Sequence, residues 1–228
     1  METLLLPGMD GTGRLFAPLI PHLSSALGAR IVAFPPDEPQ TYEQLLDAIP
    51  IPAGTFCIIA ESFSGPIGIG LAARHPDRVR GLVLVATFVE SPSTLARWVP
   101  TWLSRLLFEL RMPNFALRTA LLGKTPGLDQ LLELRAALRA VKPTVLAARL
   151  AAVAAVDAKD QLACSTAPLM YLGGRRDRLV GQKALSQVKR LRPDVTTHVL
   201  DAPHLVLQCR PVEAGRLICE FLLPLAPP

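Results

Sequence analysis

The chain has 228 residues, half of them hydrophobic, with 24 Lys and Arg against 19 Asp and Glu, a formal net charge of +5. That is enough apolar sequence for one full core, alone or with an inserted subdomain, but no apolar run approaches the ~20 residues of a membrane span. The basic residues are scattered and aromatics make up only 5%, so the basic, aromatic-lined groove that nucleic acid requires is missing.

The first apolar run, residues 3–6, predicts a strand. It has no basic region ahead of it and is too short for a signal peptide. The four cysteines, Cys57, Cys164, Cys209 and Cys219, form no CxxC pair and are read as free thiols of a reducing cytoplasm. After this strand comes a glycine-rich loop, Pro7-Gly8-Met9-Asp10-Gly11-Thr12-Gly13. Its glycines do not match GxGxxG, and no GK[ST] follows, so a phosphate cradle is the weaker reading. A helix over 15–27, a strand over 31–34 and a helix over 42–48 come next, then a strand over 56–60.

That strand runs into Ala60-Glu61-Ser62-Phe63-Ser64-Gly65, small-x-Ser-x-small ahead of a helical segment over 65–74. This is the nucleophile-elbow pattern, with Ala60 and Ser64 where glycine is more usual. The tight turn needs small residues two before and two after the nucleophile. Ser62 lies nearer the strand end than Ser64 and is the preferred nucleophile; Ser64 is the rival. A strand over 81–86 follows, and then alternation stops. Residues 88–161 hold amphipathic helical runs punctuated by prolines and no convincing strand. They are too long for a simple connection and predict an inserted helical cap, with 1–87 and 162–228 as the core. Trp98, Trp102 and Leu106, with Leu103, Leu107 and Phe108, form an apolar face at helical spacing. It is either packing of cap on core, or an acyl-binding wall or lipid-touching lid.

Alternation resumes with a strand over 169–172, a helix over 182–190, a strand over 196–200 and a final helix over 211–222. Strands alternating with helices argue a mainly parallel sheet of about six strands with helices on both faces. A serine hydroxyl needs a base, and the base needs an orienting group. Of four histidines, His22 and His75 fall in helical segments and His198 inside a strand. His204 alone follows a strand's carboxyl end, where open α/β sheets place their sites. Asp177 follows the preceding strand through Gly173-Gly174, with one helix and one strand separating it from His204. Its bland alternative is pairing with the neighbouring arginines, and Asp201 is the rival acid. An oxyanion hole completes the set: the N–H of Phe63, after the nucleophile, and that of Met9, with Gly8 turning the backbone inward. The histidines and cysteines are too dispersed for zinc-ligand spacing.

The first-strand loop, the elbow, Arg80-Gly81-Leu82-Val83-Leu84-Val85, Gly173-Gly174-Arg175-Arg176-Asp177 and Ala202-Pro203-His204 together resemble the α/β-hydrolase superfamily, and most of all its small, cap-bearing esterases. The resemblance spans almost the whole chain outside the cap. It implies an acyl-enzyme on Ser62, His204 as base and then acid, Asp177 holding the imidazole tautomer, water as the second substrate, and no cofactor. The common fold of the superfamily has two strands ahead of the oxyanion loop's strand, which are not expected within this sequence, and a His-Gly where Pro7-Gly8 stands. The superfamily's dehalogenases and epoxide hydrolases use an elbow aspartate, so Ser62 argues against them. The expected activity is cleavage of uncharged carboxylic esters with short or medium acyl chains. Thioesterase, lactonase, acyltransferase and noncatalytic binder are the alternatives.

Overall fold

The computed structural model describes residues 1–92, 108–109, 114–123 and 128–226. Six strands, β1 (Glu2–Leu6), β2 (Ala29–Ile31), β3 (Phe56–Glu61), β4 (Val79–Val85), β5 (Leu169–Gly174) and β6 (Thr196–Leu200), form one sheet in the order β2-β1-β3-β4-β5-β6. All five pairings are parallel. A parallel sheet is buried on both faces, and the strand side chains divide accordingly. Leu4, Leu6, Phe56, Ile58, Ala60, Leu82 and Leu84 enter one core, while Leu5, Cys57, Ile59, Val83 and Val85 enter the other.

Helices α1 (Tyr42–Ala48), α2 (Gly65–Arg74), α6 (Lys159–Cys164) and α7 (Gly181–Leu191) cover the first face. The short α8 (Val206–Cys209) and α9 (Pro211–Leu222) cover the second. Between β4 and β5 lie α3 (Asn114–Leu117), a π turn Arg118–Leu122, α4 (Leu128–Arg139) and α5 (Pro143–Ala155). The chain leaves and re-enters the sheet region at one point. Glu90 and Asp157 form an isolated antiparallel bridge, the Ala158 N–H donates to the Val89 carbonyl at 2.7 Å, and Lys159 pairs with both acids.

Two expectations need correction. Residues 15–27 are not one α-helix but three 3-10 turns, Arg14–Phe16, Ile20–His22 and Ser25–Leu27. Pro18 and Pro21 remove the backbone donors a continuous helix needs. The second strand ends at Ile31 rather than spanning 31–34. Beyond it the Phe34 N–H bonds the Gly11 carbonyl, and the ring meets Phe63 edge-on at 6.2 Å, so the chain turns over the sheet edge instead of extending it.

Because every strand runs the same way, all carboxyl ends share one edge. The order reverses between β1 and β3, the point at which open α/β sheets form their crevice. The loop after β1 and the turn after β3 therefore face each other across that crevice.

Candidate active site

Ser62 follows β3 with φ +50. Among the described residues only Ser62 and Ala86 combine a side chain with positive φ. Such a backbone is unfavourable for a residue with a Cβ and persists where surrounding contacts over-determine it. Those contacts are present: Thr87 Oγ1 donates to the Ser62 carbonyl, and Tyr42 Oη donates to the Phe63 carbonyl at 2.9 Å while its ring stacks on Phe63. Two glycines make room. A Cβ on Gly65 would lie 1.9 Å from Thr87 Oγ1, and one on Gly68 would lie 2.8 Å from the Ala60 Cβ. The space usually opened by a glycine two before the nucleophile is opened here by Gly68 in the facing helix.

Ser62 Oγ lies 2.8 Å from His204 Nε2, and His204 Nδ1 lies 2.8 Å from Asp177 Oδ2. With its proton on Nδ1 toward the carboxylate, the imidazole presents Nε2 as an acceptor to the serine hydroxyl. Asp177 Oδ1 accepts from the N–H groups of Leu179 and Val180. Burial pushes the Asp177 pKa upward, but the bonds from His204, Val180 and Leu179 outweigh it and hold the carboxyl below its usual range. Gly174 brings the two loops together, because a Cβ there would lie 2.3 Å from the Pro203 carbonyl oxygen. The rivals lie elsewhere. Ser64 is fully buried and donates to the Pro7 carbonyl, while Asp201 is exposed and pairs with Arg176.

The loop after β1 passes close over the serine: a Cβ on Gly8 would stand 4.0 Å from the Ser62 Cβ. The Gly11 N–H closes the turn onto the Gly8 carbonyl at 3.0 Å. The N–H groups of Met9 and Phe63 donate to no acceptor among the described residues. Gly8, Met9, Ser62 and His204 line a cavity of ≈ 290 Å³.

A family model described as Hydrolase_4, serine aminopeptidase S33, matches residues 43–204, a span that holds Ser62, Asp177 and His204. The chain belongs to this hydrolase family. No curated protein matches it. Solved structures share its fold. The enol-lactonase from Burkholderia xenovorans LB400 aligns with TM-score 0.79 at 19% identity, covering 97% of this chain and 91% of that one. A thermophilic esterase from Thermogutta terrifontis aligns at 0.80 and 19%, covering 99% and 90%. A bromoperoxidase from Bacillus anthracis aligns at 0.76 and 14%, covering 97% and 91%. At such identities the likeness establishes the α/β-hydrolase fold and nothing narrower.

In this family member the walls of the cavity are apolar: Leu117, Leu121, Leu134, Leu138, Leu150 and Leu205 surround the polar end. Trp98, Trp102 and Leu106, the expected wall, lie outside the described residues. Phe108, from the same expected face, is described and lines the cavity, and Leu134 and Leu138 of α4 join it. Glu61 also lines the cavity. It is 2% exposed, bonds Gln208 Nε2 at 2.9 Å, and burial pushes its pKa up to about 7. Sequence alone gave Glu61 no role, because nothing in it places Gln208 opposite. Among the described residues no group of three His, Cys, Asp or Glu side chains is arranged to hold a metal ion, and no helix is long and apolar enough to cross a membrane.

Proposed function

We propose that this hydrolase cleaves carboxylic esters of short to medium acyl chain through an acyl-enzyme on Ser62. His204 Nε2 takes the hydroxyl proton as Ser62 Oγ bonds to the ester carbonyl carbon, and the carbonyl π electrons move to oxygen. The Met9 and Phe63 N–H groups receive that oxyanion. Collapse breaks the bond to the leaving alkoxide, which takes the proton from His204. Water repeats the sequence and frees Ser62. Asp177 holds the imidazole tautomer and stabilises the cation formed at each proton transfer. The observation that carries this reading is the pair of 2.8 Å contacts linking Ser62, His204 and Asp177 on a serine held at φ +50.

The cavity favours an apolar acyl group. Its ≈ 290 Å³ is at the small end of ligand pockets, which run about 300–1,000 Å³. The helical segment pinned at the Glu90–Asp157 bridge acts as the cap, contributing Leu117, Leu121, Leu134, Leu138 and Leu150 to the acyl wall. Thioesters and lactones present the same carbonyl chemistry, and relative kcat/KM ranks them against esters.

The test is hydrolysis of a p-nitrophenyl ester series by wild type, Ser62→Ala and Ser64→Ala. Ser62→Ala is expected to lower kcat by roughly 10⁴-fold or more. Ser64→Ala is expected to retain measurable turnover, since its hydroxyl only ties the elbow to Pro7. Unchanged kcat in Ser62→Ala would sink the proposal.

A further inference from the structure

Arg149 belongs to α5 in the helical segment between β4 and β5, yet it is 2% exposed and reaches the sheet edge. Its Nη1 donates to the carbonyls of Met9 at 2.8 Å and Asp10 at 2.9 Å, and its Nη2 donates to the Pro35 carbonyl at 2.9 Å. The guanidinium carbon lies 5.8 Å from the Phe34 ring centroid and 6.0 Å from that of Phe63. One cation thus holds the loop carrying the Met9 donor and rests on the ring of the residue carrying the Phe63 donor.

A charge so deeply buried is costly unless its donors are satisfied. Among the described residues no carboxylate lies within ion-pair distance of Arg149; the Asp10 charge supports the cation from farther off, and three backbone carbonyls and two aromatic faces make the direct contacts. Burial lowers its pKa to about 10, so it remains a cation at neutral pH. The loop is shaped to admit it. Gly11 has φ +68, and a Cβ there would lie 2.5 Å from Arg149 Nη1. Fixing the Met9 and Asp10 carbonyls fixes the two peptide planes after Met9. The Gly11-to-Gly8 bond closes the turn from the other side. Between them the direction of the Met9 N–H is set.

We propose that Arg149 is a positioning residue for the oxyanion hole: its guanidinium aims the Met9 N–H at the developing oxyanion, so that acyl transfer requires α5 to be docked. The inference rests on the acyl-enzyme reading of Ser62. It differs from a purely structural role in what it affects. The oxyanion exists only in the transition state and the tetrahedral intermediate, so loss of Arg149 lowers kcat and leaves ground-state binding nearly untouched.

The experiment compares wild type, Arg149→Met, Arg149→Lys and Gly11→Ala, with folding checked by circular dichroism. It measures kcat and KM for a p-nitrophenyl ester. It also measures inhibition by an alkyl trifluoromethyl ketone, which forms a hemiketal oxyanion on serine, and by the corresponding secondary alcohol, which does not. Arg149→Met is expected to lose about 10²-fold in kcat, the scale of one oxyanion donor, with KM within about threefold. Ketone affinity falls in proportion and alcohol affinity holds. Arg149→Lys keeps the charge but cannot reach all three carbonyls, and falls between. Gly11→Ala displaces the guanidinium from the loop side and gives the same division. A folded Arg149→Met or Gly11→Ala with wild-type kcat overturns the proposal, as does equal loss of ketone and alcohol affinity. Failure of all three variants to fold assigns Arg149 to stability and overturns it too. Ser62→Ala in the same assay separates the two readings. Activity surviving there sinks the acyl-enzyme reading; activity lost there but kept in Arg149→Met sinks only the positioning role.

Discussion

Glu61 and Ser62 are neighbours with opposite burdens. Ser62 carries backbone strain that leaves its hydroxyl facing His204, and Glu61 carries a carboxyl buried beneath the same cavity. Asp10 and His204 are the charged or titratable groups that act on Glu61, with the Gln208 amide as its bonded partner; Cys209, the next residue of α8, feels its charge. The unfolded chain ionises this carboxyl near 4.5 and the folded chain near 7. Between those pH values unfolding releases a proton, so stability falls as pH rises, and above about 7 the deficit is constant. A shift of that size corresponds to roughly 3 kcal/mol. Glu61→Gln removes the effect. The unfolding free energy of wild type minus that of Glu61→Gln is expected to fall by roughly 3 kcal/mol between pH 4.5 and 7.5 in urea titrations; a flat difference contradicts the assignment. Asp177 has the opposite sign. Its lowered pKa stabilises the fold above the ordinary carboxylate range, and that contribution is lost as pH falls through the folded value.

The elements meet at the sheet edge through close backbone approaches, and glycines mark the tightest. Gly174→Ala would drive a methyl into the Ala202 and Pro203 carbonyls. These are backbone atoms, so the His204 loop must move. The expected result is a loss of about 1–3 kcal/mol of stability with at least a tenfold fall in kcat, since 1 Å of misplacement costs on the order of 10². A folded Gly174→Ala with full activity would show that the loop tolerates the shift. The same logic explains what sequence conveyed. The meeting of Ser62, Asp177 and His204 was legible because each follows an apolar run into a glycine- or proline-marked turn, and parallel strands bring such turns to one edge. The helix expected over 42–48 is present, and Thr41 caps it through a capping box with Gln44. Residues 15–27 misled because their leucines mimic helical spacing while Pro18 and Pro21 forbid it. The Arg149 contacts were not legible: they join positions 140 and 139 residues apart, and no local pattern encodes that meeting.

For the whole molecule, the helical segment between β4 and β5 contacts both loops of the candidate site. It reaches the first loop through Arg149 and the histidine loop through the Leu205 N–H, which donates to the Leu121 carbonyl at 3.1 Å. It also divides two cavities. Leu138 borders the ≈ 290 Å³ chamber at Ser62 and a second of ≈ 330 Å³ beside it. Leu138→Ala is expected to open one into the other and lengthen the preferred acyl chain. Each added buried methylene contributes about 0.8 kcal/mol, roughly fourfold in kcat/KM, and a p-nitrophenyl ester series reads the new optimum. An unchanged optimum would show that the acyl group does not point toward Leu138. Whether Ser62 is the nucleophile of a relay through His204 and Asp177 is decided by reaction with a fluorophosphonate followed by peptide mass spectrometry. A single adduct on Ser62 is expected, abolished in Ser62→Ala and strongly slowed in His204→Ala; an adduct on Ser64, or none at neutral pH, would contradict that assignment.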